Sequence, residues 1–256
     1  MPARFFEGAN QNMYQNYIFD LYGTLVDINT DESKLYLWKK VAELYAYYGT
    51  HYTAEEFRKG YLRLCAEHTE RLRAQNGAKS PEIQLEYVFD DLFKEKGVEV
   101  SMEIIRVIGQ AFRVISTKFL CLYDGVTELL DAIHAKGAKV YLLSNAQEMF
   151  TRHEMIALGI YDQFDGIVFS SDEGLCKPEE RLFRIIIERY GLDISRSIMI
   201  GNDAYSDISG ANLVGMDSLY IHSDISPKLT DLSGADIPAT YKIMDGDFSK
   251  IKQLIL

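Results

Sequence analysis

Four short segments of the chain carry the side chains best suited to chemistry: Asp20–Thr24, Leu143–Asn145, Cys176–Pro178 and Gly201–Asp207. Together they supply carboxylates, hydroxyl groups, amides and a lysine. A carboxylate can attack as a nucleophile, a group of carboxylates can bind Mg²⁺, and hydroxyl and ammonium groups can donate hydrogen bonds to phosphoryl oxygens. Each segment alone is more typical of a turn than of a site, so the functional prediction depends on all four together.

The surrounding sequence predicts that each of these segments follows or adjoins a strand. Tyr17, Ile18 and Phe19 form an apolar run that ends at Asp20. After residue 125 the pattern alternates between helices and strands, which is typical of a parallel sheet covered by helices. The predicted elements are helix 126–136, strand 139–143, helix 147–158, strand 166–170, helix 179–190, strand 197–201, helix 206–214, strand 217–221, a strand near 239–243 and a helix around 247–255. Ligands of such sheets bind at the carboxyl ends of the strands.

A helical insert separates the first strand from this alternation. The apolar residues Leu37, Val41, Leu44 and Tyr48 fall on one face of its first helix, which Gly49 is placed to end. Further helices are predicted to start at the capping box of Thr53 and Glu56, at Ser80-Pro81 and at Ser101.

These patterns predict the α/β class, with a Rossmann-like parallel sheet core and an inserted α-helical domain. The core comprises residues 16–29 and 118–256, and the insert comprises residues 30–117. Residues 1–15 have no periodicity and are predicted to be a leader without assigned structure.

The composition argues against several classes of protein. The chain has 27 Lys and Arg against 38 Asp and Glu, a net charge of −11. Proteins that bind nucleic acid backbones need a basic surface, so nucleic acid is not an expected partner. The sequence contains no apolar run typical of a signal peptide or a membrane span, and its three Cys residues lack the spacing of a disulfide framework or zinc site. We therefore expect a cytoplasmic monomer or homodimer with no membrane partner.

In this order, the four segments resemble the motifs of the haloacid dehalogenase superfamily. Those motifs are an apolar strand with DxDGT, a strand ending in Ser or Thr, a Lys, and an acidic GDxxxD segment, and the resemblance covers residues 16–216. It implies a hydrolase in which the helical insert forms a cap over the site. It also implies Mg²⁺ as the cofactor and a small phosphorylated metabolite as the substrate.

The resemblance, together with the chemistry of the side chains, predicts a role for each residue. Asp20 is the nucleophile that forms an aspartyl-phosphate, and Thr24 positions the loop. The predicted catalytic residues are Asp20, Tyr22, Thr24 and Lys177. The predicted phosphate-binding residues are Ser144, Asn145 and Lys177. The predicted metal ligands are Asp20, the backbone carbonyl of Tyr22, Asp203 and Asp207, with Asn202 as an alternative to Asp203.

Position 22 departs from the family pattern. Phosphatases of the family usually carry a second Asp two residues after the nucleophile, where it acts as general acid and base, and this chain has Tyr22. General acid catalysis typically contributes about 10²–10⁴-fold to the rate. The sequence therefore predicts slow cleavage of esters with poor leaving groups, unless Tyr22 itself or Asp27 supplies the proton.

Two other functions stay open on the sequence alone. An aromatic residue at this position also occurs in the haloacid dehalogenases proper, in which a carboxylate displaces halide without a metal or a proton donor. The acidic residue Asp203 favours phosphate over that alternative. The other alternative is a phosphate-binding regulatory domain with negligible turnover, although the nucleophile, the lysine and the acidic segment are all present.

Overall fold

The computed structural model describes residues 14–228 and 236–256, so the predicted leader, apart from Tyr14 and Gln15, lies outside the described residues. The strands within these ranges are β1 (Asn16–Phe19), β2 (Val26–Thr30), β3 (Thr117–Leu122), β4 (Lys139–Ser144), β5 (Gly166–Phe169), β6 (Ser197–Gly201), β7 (Asp217–Ile221) and β8 (Tyr241–Ile243). The α-helices are α1 (Leu35–Tyr47), α2 (Ala54–Asn76), α3 (Leu85–Lys94), α4 (Met102–Ser116), α5 (Val126–Ala135), α6 (Glu148–Ala157), α7 (Ser170–Glu173), α8 (Glu180–Tyr190), α9 (Ser209–Leu213) and α10 (Ser249–Ile255).

Six of the strands form a parallel sheet in the order β5-β4-β1-β6-β7-β8. β1 lies inside the sheet, with Phe19 paired to Leu142 of β4 on one side and to Ile200 of β6 on the other. Every residue of β1 is buried, because helices cover both faces of a parallel sheet. The predicted α/β class with a parallel sheet core is confirmed.

Two hydrophobic clusters, one on each face, hold this sheet between its helices. Alternate residues of β4 show the division, because Leu142 belongs to the cluster with α5 and α10 while Leu143 belongs to the cluster with α8. Leu130 of α5 and Phe183 of α8 are fully buried against the two faces. Each such side chain contributes roughly 1.5–3 kcal/mol to folding. The strands are thus packed on both faces, and this packing fixes where the segments that follow them begin.

An antiparallel ribbon connects the sheet to the helical insert, and the sequence did not predict it. Val26 of β2 pairs with Leu122 of β3, and Asp27 pairs with Cys121. The first helix of the insert, α1, begins at Leu35, five residues after the end of β2. The pairing joins segments that are far apart in the chain, so no local periodicity reveals it.

The helices α1 to α4 form the insert, whose core is rich in aromatic side chains. Trp38, Tyr45 and Phe112 are buried there, and Met149 and Phe150 of α6 belong to the same cluster. Gly109 of α4 makes this contact possible, because a Cβ at that position would lie 2.5 Å from Cε of Met149. The insert is therefore packed directly on α6. In the ranges described, no helix has the length and apolar character needed to cross a membrane.

Two predicted helix boundaries were wrong. The third helix was expected to start at Ser80, but α3 starts at Leu85, whose backbone N–H donates to Oε1 of Gln147 at 3.0 Å. The core thus supplies the cap for this helix. The helix expected at residues 206–214 begins as a π-helix, Ala204–Ile208, and continues as α9.

Candidate active site

Three neighbouring strands bring the predicted site residues to one edge of the sheet. Asp20 directly follows β1, Ser144 ends β4 and Gly201 ends β6. The backbone N–H of Asp20 donates to the carbonyl of Ile200 at 2.9 Å, which extends the β1–β6 ladder to the carboxylate-bearing residue itself. Lys177 reaches the same edge from the loop before α8.

The ammonium of Lys177 lies at the centre of the site and uses all three of its N–H groups. Nζ donates to Oδ1 of Asp20 at 2.7 Å, to Oδ1 of Asp207 at 2.7 Å and to the carbonyl of Leu143 at 2.8 Å. Lys177 is 3% exposed. Burial opposes its positive charge, but the two carboxylates outweigh this effect, and the pKa of Lys177 is raised. The lysine is therefore a fixed cation and not a solvated surface residue.

The Asp20 carboxylate is held through one of its two oxygens. Oδ1 accepts from Ser144 Oγ at 3.1 Å as well as from Lys177. Within the chain as described, these are the hydrogen bonds to that carboxylate, so Oδ2 is the oxygen left for chemistry. Asp20 is 8% exposed, which limits its contact with water.

Asp207 is fully buried, and its Oδ1 accepts a hydrogen bond from the ammonium of Lys177. Its second oxygen accepts from the backbone N–H of Asp203 at 3.0 Å. Burial and the nearby Asp20 raise the pKa of Asp207, and Lys177 opposes them. Gly201 gives this carboxylate its room, because a Cβ there would lie 2.2 Å from Oδ2 of Asp207. The structure thus places Asp207 as a partner of Lys177.

Asn145 contributes in a different way from the one predicted for it. Its Oδ1 accepts from the backbone N–H of Lys177 at 2.7 Å, and its Nδ2 donates to the carbonyl of Lys177 at 3.2 Å. Both polar atoms of the side chain are thus used to fix the lysine loop. The phosphate-binding role predicted for this side chain is not what its geometry favours.

Asn202 contacts the turn that follows Asp20. Thr24, which is fully buried, donates from Oγ1 to Oδ1 of Asn202 at 3.3 Å. Gly23 has φ +80°, and a Cβ there would lie 2.1 Å from Nδ2 of Asn202. Only glycine satisfies both the left-handed backbone and this close approach. The hydroxyl of Thr24 thus connects this turn to Asn202, and its positioning role in catalysis stays a prediction.

Asp203, the residue preferred above as a metal ligand, accepts a hydrogen bond at each oxygen of its carboxylate. Oδ1 accepts from the backbone N–H of Tyr205 at 2.8 Å, and Oδ2 accepts from Ser206 Oγ at 2.8 Å. These bonds cap the π-helix that follows. The structure brings the side chain of Asn202, and not that of Asp203, against the turn after Asp20. The choice of metal ligand between the two stays a prediction.

Tyr22 points its hydroxyl away from the Lys177 cluster and into α6. The hydroxyl donates to Oε2 of Glu154 in a very short hydrogen bond and lies 2.9 Å from Oγ1 of Thr151. The guanidinium of Arg113 lies 5.5 Å from the centre of the tyrosine ring. Burial, followed by the charge of Glu154, raises the pKa of Tyr22. A hydroxyl with these partners is a poor proton donor to a substrate.

Asp27, the other residue considered as a proton donor, lies on β2. Its Oδ1 is buried, and in the described part of the chain it has no hydrogen-bond partner. Burial and the charge of Asp224 raise its pKa. Asp27 thus remains a candidate acid, on the ribbon that leads into the insert.

A family model for haloacid dehalogenase-like hydrolases matches residues 14–215. The chain belongs to this family. A glyceraldehyde 3-phosphate phosphatase from Methanothermobacter thermautotrophicus is 30% identical to this hydrolase over 145 residues, which are 55% of this chain and 62% of that protein. The match thus spans about three fifths of that relative's length.

Solved structures share the fold of this haloacid dehalogenase-like hydrolase. Magnesium-bound YfnB from Bacillus subtilis aligns with a TM-score of 0.54 at 19% identity, covering 94% of this chain and 98% of that chain. A dehalogenase aligns with a TM-score of 0.57 at 17% identity, covering 96% of this chain and 100% of that chain. At such identities the likeness shows the fold alone.

Three side chains that contact Tyr22 were missed at the sequence level: Arg113, Thr151 and Glu154. Thr151 and Glu154 lie one turn apart on α6, so helical spacing alone could have placed them on the same face. The sequence carries no signal that this face meets Tyr22, because the partners are 129 and 132 positions away.

The oxygen donors of the site suit a magnesium ion, although they do not form a ready-made carboxylate cluster. Among residues 14–228 and 236–256, no three His, Cys, Asp or Glu side chains are grouped as metal ligands. The site offers the carboxylate of Asp20 and the amide oxygen of Asn202, which are hard donors of the type that Mg²⁺ prefers. The acidic side chains of Asp20 and Asp207 also share a single ammonium in this site. The donor chemistry fits a divalent cation.

Proposed function

We propose that the protein is a magnesium-dependent phosphohydrolase that acts on a small phosphorylated metabolite. The observation that carries the proposal is the Lys177 ammonium, bonded to both Asp20 and Asp207. This arrangement fixes the Asp20 carboxylate through Oδ1, with Oδ2 available to attack phosphorus. The phosphoryl group would transfer to Oδ2 as the bond to the leaving oxygen breaks, and water would then hydrolyse the aspartyl-phosphate.

Electrostatics require a further cation for this reaction. Two acidic side chains already share one ammonium at the site, and a phosphoryl group adds negative charge. A bound Mg²⁺ would offset that charge and hold the phosphoryl group in line with the nucleophile. We propose that Asp20, the Tyr22 carbonyl and Asn202 hold it, while Asp207 acts through Lys177 and through the backbone of Asp203.

Ser144 and Lys177 are the groups proposed to contact the phosphate. Both already donate to Asp20 Oδ1, so a phosphoryl group attached to that carboxylate would lie beside them. Asn145 would act indirectly, because its two hydrogen bonds fix the backbone of Lys177. The helical insert would act as the cap that excludes water.

One observation favours a second candidate, hydrolysis of a carbon–halogen bond. The sequence argued against carbon–halogen hydrolysis because Asp203 was expected to bind a metal. In the structure the Asp203 carboxylate accepts hydrogen bonds from the backbone of Tyr205 and from Ser206 Oγ. In this reaction Asp20 would displace halide at carbon and form an ester, which water would hydrolyse. Neither a leaving-group proton nor a metal would be required.

Product release from the purified protein distinguishes the two candidates. We expect inorganic phosphate from a panel of aryl, acyl and sugar phosphates, with release lost in EDTA and restored by MgCl₂. Halide release from a 2-haloacid in EDTA, without phosphate release in MgCl₂, would instead establish the dehalogenase. The absence of both products would leave the binding-domain alternative.

A further inference from the structure

Tyr22, Glu154 and Arg113 form a second buried polar cluster beside the nucleophile loop, which we call the clasp. Nε of Arg113 donates to Oε1 of Glu154 at 2.6 Å, and Oε2 of Glu154 accepts from the Tyr22 hydroxyl. The side chains of Arg113 and Glu154 are 17% and 11% exposed. The clasp pairs one cation with one anion, so it is complete without a ligand.

The clasp joins three separate parts of the molecule. Arg113 lies in the last turn of α4, where the insert ends. Both Ser116 Oγ and Thr117 Oγ1 donate to the carbonyl of Arg113, at 2.9 and 2.7 Å, so this turn is tightly tied to the start of β3. Glu154 belongs to α6 of the core, and Tyr22 lies two residues after Asp20. The Glu154 carboxylate is the bridge between the insert and the nucleophile loop.

We propose that Glu154 is a positioning residue that holds the nucleophile loop in its reactive geometry only while α4 is docked on α6. If α4 moves away, Glu154 loses Arg113 and becomes an unpaired, largely buried carboxylate. It must then gain water or a proton, and its bond to Tyr22 changes. The position that carries an acid in related phosphatases would thus serve here to couple the insert to the nucleophile. The kinetic part of this proposal rests on the proposed function.

Hydrogen–deuterium exchange of the full-length protein tests the coupling without reference to activity. The amides of Gly23, Leu25 and Val26 donate within the nucleophile turn at 2.8 to 2.9 Å, so they report on its integrity. We expect Arg113→Met to speed their exchange at least roughly tenfold, because it removes a charged hydrogen-bond partner of Glu154. Arg106→Met is the matched control, since Arg106 is an exposed arginine on the same helix.

A double variant keeps the test valid if Arg113→Met unfolds the protein. Arg113→Met combined with Glu154→Gln removes both charges, so no unpaired carboxylate is buried, and we expect the same faster exchange near Asp20. Faster exchange confined to α4, or equal acceleration in Arg106→Met, would overturn the proposal.

Kinetics provide the second measurement. In either clasp variant we expect kcat to fall roughly 10- to 100-fold while KM changes less than about threefold, because the misplaced group is the nucleophile and Ser144 and Lys177 are untouched. A rise in KM with constant kcat would overturn the positioning role. If the wild type releases no phosphate, the proposed function fails, whereas the exchange experiment still decides whether the clasp couples the two parts.

Discussion

The two sides of the nucleophile loop differ in charge and in origin. On the Asp20 side, one lysine serves two carboxylates, and all three residues belong to the sheet core. On the Tyr22 side, one arginine serves one carboxylate, and the arginine comes from the insert. The first cluster has one more acidic group than basic groups, and the second has one of each.

This difference indicates that the two sides of the loop Asp20–Thr24 have different functions. A cluster with an excess of acidic groups is completed by binding a cation, so the Asp20 side is suited to metal and substrate. A cluster with one group of each sign that spans the insert and the core responds to movement of the insert.

Asp20→Asn should abolish turnover, with a loss of at least about 10⁴-fold, because an amide cannot act as the nucleophile. The change is isosteric, so the fold should persist, as circular dichroism would show. Covalent labelling by beryllium fluoride should also disappear. Asp131→Asn, on an exposed part of α5, is the control, and substantial turnover in Asp20→Asn would refute the nucleophile assignment.

Wild-type protein should cleave aryl or acyl phosphates about 10²–10⁴-fold faster than sugar phosphates, because the Tyr22 hydroxyl donates to Glu154 and not to the leaving group. The slope of log kcat/KM against leaving-group pKa measures this dependence. Tyr22→Phe should keep the same steep slope. A flat slope in the wild type would show that another group, such as Asp27, supplies the proton.

Lys177→Met should lower the free energy of unfolding by about 3–5 kcal/mol, because two buried carboxylates lose their shared cation. Arg113→Met should cost only about 1–3 kcal/mol, since a single carboxylate loses its cation. Urea denaturation measures both, with Lys139→Met at an exposed lysine of β4 as the control. Equal losses would remove the contrast between the two clusters.

Asn202→Asp should tighten Mg²⁺ binding roughly tenfold, because it replaces a neutral oxygen donor by a charged one of the same shape. Isothermal titration calorimetry without substrate measures the change directly. Asp203→Asn should have a smaller effect, since its carboxylate caps the π-helix. A larger effect at Asp203 would restore the ligand role first predicted for it.

The sequence was sufficient where position along a strand decides the outcome. Asp20 and Ser144 could be predicted to meet, because the carboxyl ends of parallel strands share one edge of a sheet. The α/β class followed from the alternation of strands and helices. The catalytic roles of the residues at this edge stay predictions until the experiments above are done.

Side-chain direction in loops could not be predicted in the same way. Asp203 is next to Asn202 in the chain, yet one side chain caps a helix and the other contacts Gly23 and Thr24. The orientation of Tyr22 depends on Glu154, 132 positions away. The start of α3 likewise depends on Gln147, which is 62 positions from Leu85. Such contacts are set by tertiary structure and leave no local pattern.

The packing of α6 on the insert also constrains how the chain can fold during synthesis. Gln147 caps α3, and Met149 and Phe150 complete the core of the insert. Ribosomes finish α4 at Ser116 before these three residues exist, and at about 5–20 residues per second their arrival takes a few seconds. The apolar surface of the insert that Met149 and Phe150 cover has no partner until α6 has been made. The insert can therefore complete its structure only after the start of α6 has been synthesised.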